Sequence, residues 1–266
     1  MKLHLLDLGQ ITADEGWFLE ASGASTYSQP APPRVRRQLQ MIGAVIEHPR
    51  AGPILFEVGG APNARELWPE PVFEAFAVTG YARENRLEVA LGEAGYELKD
   101  IKAVIIGHMH LDHAGGLEFF RGRDVPVYVH EAELKNAFYS VATKEDFGAY
   151  LPHYLDFSFN WQGVSGDQLE PWSGITFYRT PGHTPGLMTM RVDLPNAGTF
   201  IFTSDLILLK ENYEQSRPQG WLLRDHRAWW GSLKFVRAMA ERTDAHLVFG
   251  HDPDVFAELR KEKFYD

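Results

Sequence analysis

Apolar residues along this chain fall into two kinds of pattern, compact runs and runs with helical spacing. The compact runs predict strands: Leu3 to Leu8, Gln40 to Glu47, Pro53 to Val58, Ala103 to Ile106 and Val125 to Val129, then Ile175 to Arg179, Leu187 to Val192, Thr199 to Thr203 and Leu247 to Phe249. An unbroken apolar stretch such as Ala103 to Ile106 is the pattern of a strand covered on both faces. Leu87, Ala90, Leu91 and Ala94 share one helical face, which predicts a helix over 85–94 ending at Gly95. Further helices are predicted over 131–139, 227–242 and 253–261. His48-Pro49-Arg50-Ala51-Gly52 reads as a hairpin turn, and Gly59-Gly60 closes the strand after it. Residues 10 to 33 show no period, carry Trp17, Phe18 and Tyr27, and end in Pro30-Ala31-Pro32-Pro33. They predict a long surface loop of the kind that touches substrate or a second subunit. Strands pair first as hairpins and then alternate with helices. The expected class is α/β, a sheet sandwich covered by helices in one domain over 1–266.

Composition narrows the chemistry. The net charge of −10 argues against a nucleic-acid partner, and the densest basic stretch, Arg34-Val35-Arg36-Arg37, is short. There is no cysteine, which removes disulfides, thiolate ligands and a cysteine nucleophile together. Any metal must then be held by histidine and carboxylate. No apolar stretch approaches the roughly 18 residues of a membrane span, and MKLHLLDLGQ lacks the apolar core of a secretory signal. The expectation is a cytoplasmic protein with no membrane partner.

The run Ala103 to Ile106 delivers the chain into His108-Met109-His110-Leu111-Asp112-His113. Four ligand-type side chains within six residues form a costly polar cluster unless something binds them. A chance cluster would sit in a polar tract, whereas this one follows a buried strand. Three more residues occupy strand ends: His183 in Thr180-Pro181-Gly182-His183-Thr184-Pro185-Gly186, Asp205 after Phe200-Ile201-Phe202-Thr203-Ser204, and His251 after Val248-Phe249-Gly250. Residues at the C-terminal ends of strands can converge on one sheet edge. Imidazole and carboxylate suit zinc first, and also iron, manganese and cobalt.

With these residues assembled, the chain resembles the metallo-β-lactamase superfamily, whose motif order is His-x-His-x-Asp-His followed by His, Asp and His. All seven positions are matched in order. Within the superfamily it is most similar to the N-acyl-homoserine lactone lactonases and to 4-pyridoxolactonase. HMHLDHAGG at 108–116, TPGHTPG at 180–186 and VFGHDPD at 248–254 carry that similarity. The resemblance implies an αββα sandwich of two mixed β-sheets flanked by helices. It also implies two divalent metal ions: His108, His110 and His183 on the first, Asp112, His113 and His251 on the second, with Asp205 bridging. Two ions about 3.5 Å apart share a hydroxide that attacks the lactone carbonyl. Asp112 is the implied proton carrier to the leaving oxygen.

Two positions depart from the pattern. The lactonases place a tyrosine three residues after the bridging aspartate, where this chain has Leu208; Tyr213 is the candidate substitute. The aspartate usual after the early strand is here Glu57, a supporting position that a glutamate can fill. Trp17, Phe18, Tyr27, Trp68, Phe138, Tyr139, Leu208 and Trp221 are candidate linings of an apolar acyl-chain pocket. His130 and His153 read as structural histidines, and Arg237 to Arg242 as a solvated helix face. The leading expectation is hydrolysis of an N-acyl-homoserine lactone, a small-molecule substrate, by a chain that resembles dimeric enzymes. Alternatives with the same ligands are a thioesterase of the glyoxalase II kind, a tRNA-processing phosphodiesterase and a non-catalytic metal-binding protein. The tail from Phe256 to Asp266 is too short for an added glutathione-binding domain, and the acidic charge disfavours RNA.

Overall fold

A computed structural model describes residues 1–146 and 148–266. The first sheet holds β1 (Lys2–Asp14), β2 (Arg36–His48), β3 (Gly52–Phe56), β4 (Ala77–Gly80), β5 (Ala103–Ile105), β6 (Pro126–His130) and β7 (Asn160–Val164), in the order β4-β1-β2-β3-β5-β6-β7. Its β1 to β4 region pairs antiparallel, and β3, β5, β6 and β7 run parallel. The second sheet is β12-β11-β10-β9-β8, made of β8 (Gln168–Trp172), β9 (Ile175–Arg179), β10 (Met188–Leu194), β11 (Gly198–Phe202) and β12 (His246–Val248). Only its β11–β12 pair is parallel. The helices are α1 (Ala64–Leu67), α2 (Glu70–Ala75), α3 (Leu87–Glu93), α4 (Leu111–Ala114), α5 (Glu131–Thr143), α6 (Lys210–Glu214), α7 (His226–Thr243) and α8 (Pro253–Leu259).

Strand alternation builds the layers. Leu3 and Leu5, Ile42, Ala44 and Ile46, Ile54 and Phe56, and Ala103 and Ile105 face the second sheet. There they meet Ile175, Phe177, Met190, Val192, Phe200 and Phe202. Phe56 and Phe202 pack at 5.3 Å between ring centroids, an aromatic pair worth about 0.5–1.5 kcal/mol beyond its burial. The intervening residues Leu6, Leu8, Val45, Leu55 and Val104 point the other way, into the layer that contains Leu87, Ala90, Leu91 and Ala137 of α3 and α5. On the far side of the second sheet, Ile201 packs with Trp229, Leu233 and Val236 of α7. The result is the αββα sandwich of two mixed sheets.

Several boundaries move. Residues 10 to 14 are not loop: β1 continues through them after a bulge between Asp7 and Gln10, where Gly9 takes φ +97°. The remainder of the expected loop begins with a 3-10 turn at Glu15–Trp17 and docks Phe18 and Leu19 in the core. Strands β4, β7 and β8 were not foreseen. No helix among the described residues is long and apolar enough to cross a membrane.

Candidate metal centre

Three strand ends and one turn converge at one edge of the sandwich. The chain leaves β5 through Gly107 into His108 and His110, and α4 then carries Asp112 and His113. The turn between β9 and β10 brings in His183, a 3-10 turn after β11 brings Asp205, and the residues after β12 bring His251. The turn at 180–186 is shaped by its glycines. A Cβ on Gly182 (φ +146°) would lie 2.7 Å from Trp229 Cα of α7, and one on Gly186 would lie 2.1 Å from Glu133 N of α5. Only glycine allows the two helices to pinch His183 into place.

All seven side chains come together. His108, His110 and His183 each bring a ligand atom within 4.8 Å of the others, and so do Asp112, His113 and His251. Asp205 lies between the two sets. Its Oδ2 is 3.4 Å from His183 Nε2 and 3.8 Å from His108 Nε2, whereas its Oδ1 is 2.9 Å from His251 Nε2 and 3.1 Å from His113 Nε2. One carboxylate therefore presents an oxygen to each half of the cage. His110 Nδ1 faces His183 Nε2 at 2.9 Å, and His251 Nε2 is 3.6 Å from Asp112 Oδ2.

The opposite ring nitrogens are held by the protein. His108 Nδ1 meets Ser204 Oγ at 3.2 Å, His183 Nδ1 meets Gln219 Oε1 at 2.7 Å, and His251 Nδ1 meets the Gln40 carbonyl at 2.9 Å. His113 Nδ1 is 3.3 Å from Glu57 Oε1, which also accepts from Ser204 Oγ and the Gly107 amide. Glu57 and Ser204 both sit at positive φ, +55° and +44°, so strained backbone is concentrated behind the cage. Anchoring one nitrogen of these four rings fixes the tautomer and leaves the other as a ligand.

Electrostatics agree with that arrangement. Burial holds His108 and His110 well below the ordinary imidazole range and His183 at about 4. At Asp205 burial opposes ionisation, but His251, His113 and His108 outweigh it and hold the carboxyl well below its usual range. Burial likewise opposes protonation of His113 and His251, and the neighbouring Asp205 overrides it in both. His108 Nε2 and His110 Nε2 are buried with no hydrogen-bond partner. Buried ligand atoms without partners, three imidazoles held in their neutral form, two more drawn to an ionised carboxylate and that carboxylate between them fit a divalent metal centre.

A cavity of about 190 Å³ opens on this cage, with His110, Asp112 and His251 in its wall and Trp17, Leu39, Phe76, Leu208, Trp221 and Arg224 around them. Trp17, Leu208 and Trp221 thus line it as expected, and the other pocket candidates do not. Phe18 is fully buried in the core, Trp68 is buried and donates to Tyr154 Oη, and Phe138 packs on Phe157. Tyr27 and Tyr139 are exposed on the surface. Tyr213 lies beside Phe249 and under the Arg237 guanidinium, away from the cavity, so it does not stand in for the tyrosine absent at Leu208. A larger cavity of about 580 Å³ between β1, α3 and α8 has none of the seven cage residues in its lining.

Three residues in supporting roles escaped the sequence. Gln219 joins His183 to the Asp205 carbonyl, to which its amide donates. Glu133, fully buried, accepts from Met109 N, Tyr150 Oη, Thr184 Oγ1 and Gly186 N, tying the first histidine loop to the His183 turn. Arg224 pairs with Asp146 at the cavity mouth. The segment that carries Gln219 and Arg224 is fastened to the N-terminal turn by Trp221 N to the Gly16 carbonyl (3.1 Å) and Leu222 N to the Trp17 carbonyl (3.0 Å).

Comparison with known proteins agrees with this geometry. The N-acyl homoserine lactonase AiiB of Agrobacterium fabrum is 29% identical, over 100% of this chain and 99% of its own. The AiiA lactonase of Bacillus thuringiensis subsp. kurstaki is 28% identical, over 76% and 77%. A solved N-acyl homoserine lactone hydrolase, with the product N-hexanoyl-L-homoserine at its catalytic metal centre, superposes with a TM-score of 0.81 at 23% identity, covering 97% of this chain and 95% of that one. AidC, a dizinc quorum-quenching lactonase, superposes at 0.67 with 18% identity, over 94% and 87%. The family model of the metallo-beta-lactamase superfamily matches residues 45–251, from β2 to the last histidine of the cage, and the chain belongs to that superfamily.

Proposed function

We propose that this protein is a metal-dependent lactonase that opens N-acyl-homoserine lactones to N-acyl-homoserines with two divalent ions in the cage. The observation that carries the reading is the apolar cavity with His110, Asp112 and His251 in its wall, in a chain whose full-length relatives are named N-acyl homoserine lactonases. His108, His110 and His183 would hold one ion, Asp112, His113 and His251 the other, and Asp205 both. Zinc is the metal this set suits first, with iron, manganese and cobalt also served by it.

Ions bound there supply a water acidified toward neutral pH and a Lewis acid for the carbonyl. The chain's own groups do the rest. Asp112 is the one cage residue with appreciable exposure, its side chain 13% accessible, and it borders the cavity. It takes the proton as water oxygen adds to the acyl carbon, then returns it to the ring oxygen as the ring C–O bond breaks. The products are a hydroxyl and a carboxylic acid that ionises to the carboxylate, releasing the second proton of the water to solvent, with no covalent enzyme intermediate. Leu208 has no hydrogen to donate to the substrate, so it only excludes water from the cavity wall.

The test is hydrolysis of a panel by metal-loaded protein, followed with a pH indicator: acyl-homoserine lactones, other lactones, S-lactoylglutathione and bis-p-nitrophenyl phosphate. Lactone opening that exceeds turnover of the last two is the expected result. Turnover of either of those without lactone opening would sink the reading.

A further inference from the structure

Among the described residues lining the metal-facing cavity, Arg224 is the only lysine or arginine, set in a wall that is otherwise mainly aliphatic and aromatic. Its side chain is 29% exposed. Nη2 and Nε donate to the two oxygens of Asp146 at 2.6 and 3.3 Å, and Nη1 donates to the Leu222 carbonyl. Three of its five N–H groups are thereby used, and two remain.

Asp146 matters to what those two donors can recognise. It sits in the same cavity wall and cancels the arginine's charge, so the pair is a poor site for an anion and a good one for a neutral oxygen acceptor. The reacting carbonyl of a lactone has the cage for a partner. A ring that carries an acylamino arm brings one more acceptor, the amide oxygen, into the same apolar cavity, where an unmatched carbonyl weakens binding.

We propose that Arg224 is a specificity-determining residue that donates to the amide carbonyl of an N-acyl substituent, selecting acylamino lactones over plain alkyl lactones. This rests on the lactonase reading above. Trp221 and Leu223, which precede the arginine in the same segment and line the same cavity, would bracket the alkyl arm beyond the amide.

The experiment compares kcat/KM for N-decanoyl-homoserine lactone and for γ-dodecalactone, which lacks the amide, across wild type, R224M, R224K and the D146N/R224M double variant. The double variant leaves no unpaired aspartate and guards against a folding artefact. The preference for the acylamino lactone is expected to fall about ten- to a hundredfold in R224M and in the double variant, mainly through KM, with partial recovery in R224K. Equal losses on both substrates, or an unchanged preference, would overturn the proposal. The same four proteins are titrated with the matching non-hydrolysable lactams, with and without the acylamino arm, read by the fluorescence of Trp17 and Trp221. If wild type opens neither lactone, the lactonase reading fails. The lactam titration still decides Arg224: amide-dependent binding lost in R224M supports the assignment, and amide-independent binding refutes it.

Discussion

Gln219 Oε1 accepts a hydrogen bond from His183 Nδ1 at 2.7 Å, while the same side chain donates its amide hydrogen to the Asp205 carbonyl. One buried residue thus orients a ligand from each of two separate turns. Replacing it with alanine frees the His183 ring to change tautomer. Metal affinity should fall about 10- to 100-fold in Q219A, measured by competition with a chelating dye. An unchanged affinity would show that packing alone orients the imidazole.

Asp205 faces both halves of the cage, so D205A should do more than weaken one site. The expected outcome is a drop in metal content by elemental analysis together with a loss of activity greater than about a hundredfold, the upper end for a supporting residue. A fully active, fully loaded variant would refute the bridging role.

Asp112 is expected to separate binding from chemistry. The D112N variant keeps an oxygen toward His251 but cannot take a proton. Its kcat should fall about 10²- to 10⁴-fold, with most of the metal retained. A comparable loss of metal would assign Asp112 to coordination alone.

Glu133 gives a stability test with a defined sign. Burial raises its carboxyl above the ordinary value, against the pull of Met109 N, Thr184, Tyr150 and Gly186 N. A folded-state pKa above the unfolded one means the native protein binds more protons. Its contribution is therefore full below the unfolded value, near 4.5, and is lost as pH rises through the raised folded value. Urea unfolding of the apo protein should show that decline in wild type and a flatter profile in E133Q. The E133A variant, which orphans four donors, should lose about 3–5 kcal/mol.

The sequence made the cage legible because its signals are local. A buried strand leading into His108-x-His110-x-Asp112-His113 places four groups without knowledge of anything distant, and the strand runs before His183, Asp205 and His251 do the same for those three. The residues behind the cage carry no such signal. Ser204 meets Glu57 across 147 positions, and Gln219 meets His183 across 36, from a segment with no period of its own. Glu133 stands in the first turn of α5 beside Glu131, where acidic residues are favoured on exposed helices too, and only the fold shows it buried. Strands β7 and β8, Asn160–Val164 and Gln168–Trp172, are half-exposed with mixed polarity, so they lack the apolar runs that marked the others. The bulge at Gly9 broke the pattern of β1 and hid its second half.

The two backbone hydrogen bonds that join Trp221 and Leu222 to the turn at Gly16 and Trp17 divide this protein into parts that can change at different rates. The cage hangs from strand ends and glycine pinches, where almost any substitution collides with backbone. The cavity wall hangs from a strip of main-chain bonds that is indifferent to side-chain identity. New substrates can therefore be reached by mutation of Trp17, Trp221, Leu223 or Arg224 while the reaction is conserved. Gln219 is the residue where the two parts meet, and a lineage that changed its substrate would be expected to keep it.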